Sequence, residues 1–233
     1  MSGSVTLSSL RSAAKDRADL ANSTRVSTAQ WNEYINKSKD NLYDLLVAAY
    51  GNDYYMKIPP YDLTIVAGTD TYSLPTDHYK TALVEYKMGT DNYYTLKKFA
   101  LSTKNRFPAP LPLRGSYDQF RYKEMDDKII FYPTPSSGCT VRIWYVPLAT
   151  NLVSDSDTIR GFNGWEEYII IDVAIKALRN EESDTIDLER DLKRVSDRLI
   201  EMAETRNLSE PFKIQDTNPR SGVYDYEYYE GLY

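Results

Sequence analysis

"GWEEYIIIDVAIKALRNEE", Gly164 to Glu182, is the stretch on which the fold turns. Its centre, "YIIIDVAI", has the β-branched density of a buried strand. The length of the whole segment, its alanines and the four-residue spacing of Asp172 and Lys176 predict a helix instead. Asn163 and Glu166, three residues apart, mark its N-terminus. Because the segment is apolar nearly all round, the helix is expected to be central and buried. A turn at Glu182 to Asp184 follows, then a last helix. In it Leu188, Leu192, Val195, Leu199 and Met202 alternate steps of four and three, the seam of a helix packed nearly antiparallel on its predecessor.

Working back to the N-terminus, Val26, Ser27, Gln30 and Trp31 occupy N′, N-cap, N3 and N4. This is a capping box inside a hydrophobic staple, so a helix starts at Thr28. Its stripe is Trp31, Tyr34, Ile35, Leu42, Leu45, Leu46 and Ala49, and Gly51 ends it after Tyr50. The preceding Leu7 to Ala21 is a good helix former with only a thin apolar stripe, Leu7, Leu10, Ala14 and Ala18. Such a helix is expected to cover a neighbour rather than to found a core.

Between these helical ends the texture is different. From Ile58 onward, Pro and Gly punctuate short runs rich in Tyr, Val, Thr and Leu. "YDQFRYKEMDDKIIFYP" reads as a hairpin turning at Asp126-Asp127, and in "CTVRIWYVP" Val141, Ile143 and Tyr145 alternate with Thr140, Arg142 and Trp144. The expected fold is therefore α+β: a helical bundle built from the N- and C-terminal helices, an inserted antiparallel β unit, and an extended C-terminal arm. The boundaries read as 1–56 and 161–206 for the two helical parts, 57–160 for the β unit and 207–233 for the arm.

Of the 233 residues, 42% are hydrophobic and 27% charged, enough for one substantial core or two modest ones. A net charge of -6 argues against a protein that grips nucleic acid through a general basic face. The single cysteine, Cys139, allows no internal disulfide and suits a reducing compartment. The N-terminus has no apolar h-region and no run approaches a membrane span, so the chain reads as made and folded in cytoplasm, with no membrane partner.

Chemistry-bearing constellations are scarce. His78 and Cys139 read as an exposed turn histidine and a structural thiol rather than a nucleophilic pair, and the two cannot furnish a zinc site. "DSDTI", Asp155 to Ile159, lacks the glycine and distal glutamate of an EF-hand and reads as a solvated loop. The ten glycines form neither phosphate-loop pattern. Glu166-Glu167 and Asp126-Asp127 fit a helix start and a turn better than a catalytic dyad. No catalytic residue, metal ligand or cofactor is expected.

Two charge features stand out. From Lys97 to Arg114, five basic residues (Lys97, Lys98, Lys104, Arg106, Arg114) meet no acidic one, in a loop stiffened by Pro108, Pro110 and Pro112. This loop could face DNA or an acidic partner, or be a solvated hairpin tip. The terminus, "SGVYDYEYYEGLY", carries Tyr224, Tyr226, Tyr228, Tyr229 and Tyr233 among acidic residues. Solvating tails are usually poor in aromatics, whereas interfaces are enriched in tyrosine, so a docking arm is expected.

Three stretches carry a resemblance: "GTDTYSLPTDHYK" (Gly68 to Lys80), "KIIFYPTPSSGCTVRIWYVP" (Lys128 to Pro147) and "DTIRGFNGWEEYIIIDVAIKALRNEESD" (Asp157 to Asp184). With the two-ended helical bundle, they make the chain resemble the head-to-tail adaptor, or connector, proteins of tailed bacteriophages. The resemblance implies a non-enzymatic virion protein at the head-tail interface. It further implies a homo-oligomeric ring, typically of twelve copies, bound to the portal protein. That ring would extend the channel and offer a platform for a downstream tail or nozzle protein, while DNA passes through the lumen without specific recognition. An arm formed by the five tyrosines would bind the portal or a neighbour. Two other classes compete: a tail-associated hydrolase acting on cell-wall glycan, which needs two carboxylates at catalytic separation, and a DNA-binding packaging factor using the five basic residues.

Overall fold

The computed structural model describes residues 3–51, 55–88, 92–102, 120–161 and 164–204. Their elements run β1 (Gly3–Thr6), α1 (Leu7–Arg17), α2 (Thr28–Tyr50), β2 (Tyr61–Ile65), β3 (Thr71–Ser73), β4 (His78–Met88), β5 (Asn92–Thr95), β6 (Lys97–Lys98), β7 (Arg121–Met125), β8 (Lys128–Tyr132), β9 (Cys139–Pro147), β10 (Thr158–Gly161), α3 (Trp165–Asn180) and α4 (Ile186–Glu204). The fold is α+β, with helices at both ends of the chain and strands between them.

The "YIIIDVAI" ambiguity resolves to helix. In α3, Ile169, Ile171, Val173, Ala174, Ile175 and Ala177 are all buried, a distribution around the whole circumference that only a helix covered on several sides can satisfy. α1, α2 and α4 all pack against it. Its one basic side chain near the middle, Lys176, donates to Asp172 Oδ2 (2.6 Å) one turn back and to the fully buried Ser38 Oγ of α2 (2.7 Å). The helix does not start as expected. Gly164, at φ 87°, is the N-cap and makes no side-chain cap, while Glu166 and Glu167 face the helix dipole from the first turn. Asn163 lies outside the described residues.

α2 begins at Thr28 with the predicted reciprocal cap. Gln30 N donates to Ser27 Oγ, and Ser27 N donates to Gln30 Oε1 (2.8 Å). The staple residues Val26 and Trp31 are both buried. α1 departs from expectation twice. It stops at Arg17, and Asp19 at φ 56° takes the chain out of helical geometry. Its thin stripe is not left for another subunit: Leu7, Leu10, Ala14 and Ala18 are at most 5% exposed and belong to the same core as Trp31, Ile35, Leu42, Trp165 and Ile169. Two leucines and two alanines, all buried, are enough for α1 to join that core, so a weak amphipathic pattern still founds core.

β1 had no signal in the sequence. It pairs antiparallel with β10, placing Val5 opposite Ile159, and both pack on the helical core. Four residues beside a helix start carry too little period to be read as a strand, and it is the long-range partner that creates this one.

The β unit holds two four-stranded sheets, β2-β9-β4-β5 and β3-β8-β7-β6. Their inner faces share a second core, with Val84, Val141, Ile143 and Tyr145 from the first sheet and Tyr122, Ile129 and Phe131 from the second. The alternation read in β9 is the observed one, and β7 and β8 turn at Asp126, which has φ 56°. One pairing departs from the antiparallel expectation: β6 lies parallel to β7, with Lys97 opposite Arg121.

Candidate interaction surfaces

The two residue sets singled out from sequence fare differently. Lys97 and Lys98 sit in β6, both exposed. Lys98 Nζ lies 2.8 Å from Glu124 Oε1 and 5.6 Å from the centre of the Tyr122 ring, so its charge is partly committed within the sheet. Lys104, Arg106 and Arg114 lie outside the described residues, as do Tyr224, Tyr226, Tyr228, Tyr229 and Tyr233.

A cysteine-histidine pair is ruled out by register. His78 is opposite Pro147, at the far end of β9 from Cys139. Eight residues of strand at about 3.4 Å each put them roughly 27 Å apart. Cys139 is half-buried and burial pushes its thiol pKa up, the wrong direction for a nucleophile. His78 is not an exposed turn residue. It opens β4, bonds through Nε2 to Thr81 Oγ1 (2.8 Å) and packs on the Tyr145 ring at 5.5 Å.

Burial is the main cause that holds the His78 pKa below its ordinary value. As pH falls through about 6.5, the unfolded chain therefore takes up a proton before the folded one does. Stability contributed by the neutral ring is complete above that pH, declines below it, and stops declining once the folded ring is itself protonated. With a single histidine in the chain, proton NMR of the one imidazole reads this directly. A titration midpoint below that of an unstructured histidine peptide is expected; an equal or higher midpoint contradicts it.

"DSDTI" is also more constrained than a solvated loop. Asp157 Oδ2 accepts from Val153 N (2.7 Å) and Ser154 N (2.8 Å), which lowers the carboxyl pKa, and Asp155 pairs with Arg11 of α1 at 2.9 Å. Among the described residues no group of three or more His, Cys, Asp or Glu could hold a metal ion. None of the described helices is long and apolar enough to cross a membrane.

The structure assembles two features that sequence reading missed. The first is a joint between α2 and the β unit, backed by a network around Asp77 within the β unit. Asp77 is shared by Lys57 Nζ (2.6 Å to Oδ2) and Tyr145 Oη (2.8 Å to Oδ1), while its carbonyl accepts from Leu148 N (2.7 Å). The Lys57 bond is the largest cause that holds the Asp77 pKa below the usual carboxylate range. From the helical side, Tyr43 Oη donates to Pro147 O (2.7 Å), and Asp44 accepts from Tyr79 Oη (2.8 Å). Burial first, and then the neighbouring Tyr79 and Asp44, push the Tyr43 pKa up to about 12, so it remains a donor at neutral pH. These side chains come from α2, the segment before β2, the turn before β4, β4 and β9, which is why no local pattern announced them.

The second feature is an open cleft of about 990 Å³ beside that joint. Leu42, Tyr43 and Leu46 of α2 form one wall, the 147–152 segment after β9 another, and Trp165 and Ile169 from the start of α3 its end. Lys39 is buried at its margin, reaching Thr150 O (2.6 Å) and Asn151 Oδ1 (3.3 Å). Tyr55 stands edge-on to Tyr43 at 5.0 Å. The lining offers apolar area, and the Pro147 and Thr150 carbonyls there already accept from Tyr43 and Lys39.

The described residues form an α+β chain with two separate cores and a polar joint between them. The chain matches the family of the SU10 adaptor protein over residues 5–213 and is a member of it, a family of phage head-to-tail adaptors. No curated protein matches the chain. The family match stops before the tyrosine-rich end, since residues 214–233 lie beyond it. Membership makes the chain a structural component of a bacteriophage virion that meets other head and tail proteins.

Proposed function

We propose that the protein forms a ring, of twelve copies, beneath the portal of the phage head. That ring extends the DNA channel and presents a platform to the next tail or nozzle protein. The observation that carries this reading is the family match across residues 5–213. Two physical features support it. A subunit that transmits load between head and tail benefits from a β unit fixed to its helical body, and the Tyr43–Pro147 and Asp44–Tyr79 bonds supply such a joint. An acidic chain also releases passing DNA readily, because each phosphate neutralised by Lys or Arg adds salt-dependent affinity.

In this reading Ser221–Tyr233 is the arm that binds the portal or a neighbour. Deleting it is expected to leave a folded protein whose attachment to portal-bearing heads, scored by electron microscopy of filled capsids, is strongly reduced. Unchanged attachment removes the arm from the mechanism. Images of the same capsids with the full chain in place test the ring itself: a density of other than ring form below the portal refutes the proposal.

A further inference from the structure

We propose that the cleft between α2, the 147–152 segment and the start of α3 is the docking site for the chain's own C-terminal segment, Ser221–Tyr233, in the unassembled subunit. The inference rests on reading that terminus as a docking arm and adds where the arm lies before its partner arrives. It begins with where the chain ends. The short turn after Asn180 reverses the chain, and α4 (19 residues) runs back along α3 (16 residues). At about 1.5 Å per residue the two helices are nearly equal in length, so α4 finishes on the side of the body where α3 begins. α2 ends there too, since Tyr50 packs on Trp165 at 5.9 Å. Trp165 and Ile169 of that end line the cleft.

Reach is ample. The 16 residues between Glu204 and Ser221 span up to roughly 55 Å extended, and about 22 Å as a flexible coil. A tether of that length holds its end at an effective concentration near the millimolar range, so a weak peptide site is occupied within one chain before a second copy competes.

The chemistry of the two sides matches. The segment brings five tyrosines in thirteen residues. The cleft brings the partly covered Ile159, Tyr43 and Tyr55 for the rings over a floor of buried Leu42, Leu46 and Trp165, and its wall already accommodates one tyrosine in the required way, with the Tyr43 ring among aromatic neighbours and its hydroxyl on Pro147 O. At the rim, Leu148 is 52% exposed, apolar area that an incoming ring covers. On joining the portal or a neighbour the arm exchanges this weak site for a larger surface. Occupancy of the cleft thus keeps the aromatic end from premature contacts.

The test uses the full-length protein and chymotrypsin, which cuts after exposed tyrosine, with fragments mapped by mass spectrometry. Cleavage at Tyr224 to Tyr229 is expected to be at least about tenfold slower than in a free peptide of the same sequence, as occupancy of a closed state predicts. The protection should not change over a hundredfold dilution. Leu148→Glu should raise the rate toward that of the free peptide, and Val153→Glu, equally a surface change but outside the cleft, should not. A second readout avoids any question of folding. Replacing the five arm tyrosines by serine leaves the body untouched and should speed hydrogen exchange at Ala149 to Leu152. Peptide-like cleavage in the unaltered chain overturns the proposal, as does exchange that ignores the arm. Protection that fades on dilution overturns it in favour of a second copy as host. Loss of head attachment on deleting the arm, with no cleft protection, would uphold the arm and reject this site.

Discussion

Trp31→Ala is expected to lower the stability of the protein by about 3–5 kcal/mol, a large part of the 5–15 kcal/mol that typically separates folded from unfolded chains. Trp31 is 1% exposed, closes the staple with Val26 at the first turn of α2, and sits under Lys15 of α1, whose Nζ is 5.9 Å from the ring. Truncation therefore opens a cavity where α1 and α2 meet. The contrasting change is Trp31→Phe. The indole Nε1 is buried without an acceptor among the described residues, so phenylalanine gives up area but also removes an unsatisfied donor, which costs about 1–3 kcal/mol when buried. Urea denaturation is expected to place Trp31→Phe much closer to the parent than to Trp31→Ala. Equal losses for the two would contradict the cavity account, because phenylalanine keeps most of the volume that alanine gives up.

The second large effect is expected at Phe131→Ala, again about 3–5 kcal/mol, but felt elsewhere. Phe131 is fully buried in the β unit, stacked on Phe120 at 5.4 Å with an 11° interplanar angle and edge-on to Tyr72 at 6.0 Å. Its core shares no residue with the helical one. The division at about residues 57 and 160 is our proposal for the folding units. It predicts that hydrogen exchange quickens at Val141 to Tyr145 in this variant while the amides of α3 keep their protection. Parallel loss in both would make the chain one cooperative unit and withdraw the division.

Where elements were legible in sequence, one periodic signal decided them locally. The Ser27/Gln30 cap fixed the start of α2, and the apolar positions of α3 exceeded what one strand face can bury. The 2-residue alternation of β9 was visible because one face meets a core and the other meets solvent. The seam in α4 was visible too, with Leu199 buried and Leu188, Leu192 and Val195 half-covered. The interaction surfaces were much less legible. Lys98 looked free in sequence because Glu124 lies in a different strand, and a basic run says nothing of cross-strand partners. His78 looked exposed because the turn before it is polar, yet Tyr145 and Thr81 cover it.

By itself, the sequence determined the helix, strand, helix order, the α+β class, the caps that start and stop α2, and a terminus loaded with tyrosine beyond the last helix. Those follow from local periods and from side chains meeting backbone within a few residues. Only the tertiary structure decided that α1 belongs to the core, that β1 is a strand at all, that Tyr43 and Asp44 tie the β unit to α2, and that a cleft opens where α2, α3 and the chain leaving β9 converge. Each depends on groups many residues apart brought within a few ångströms, and no local pattern records such distances.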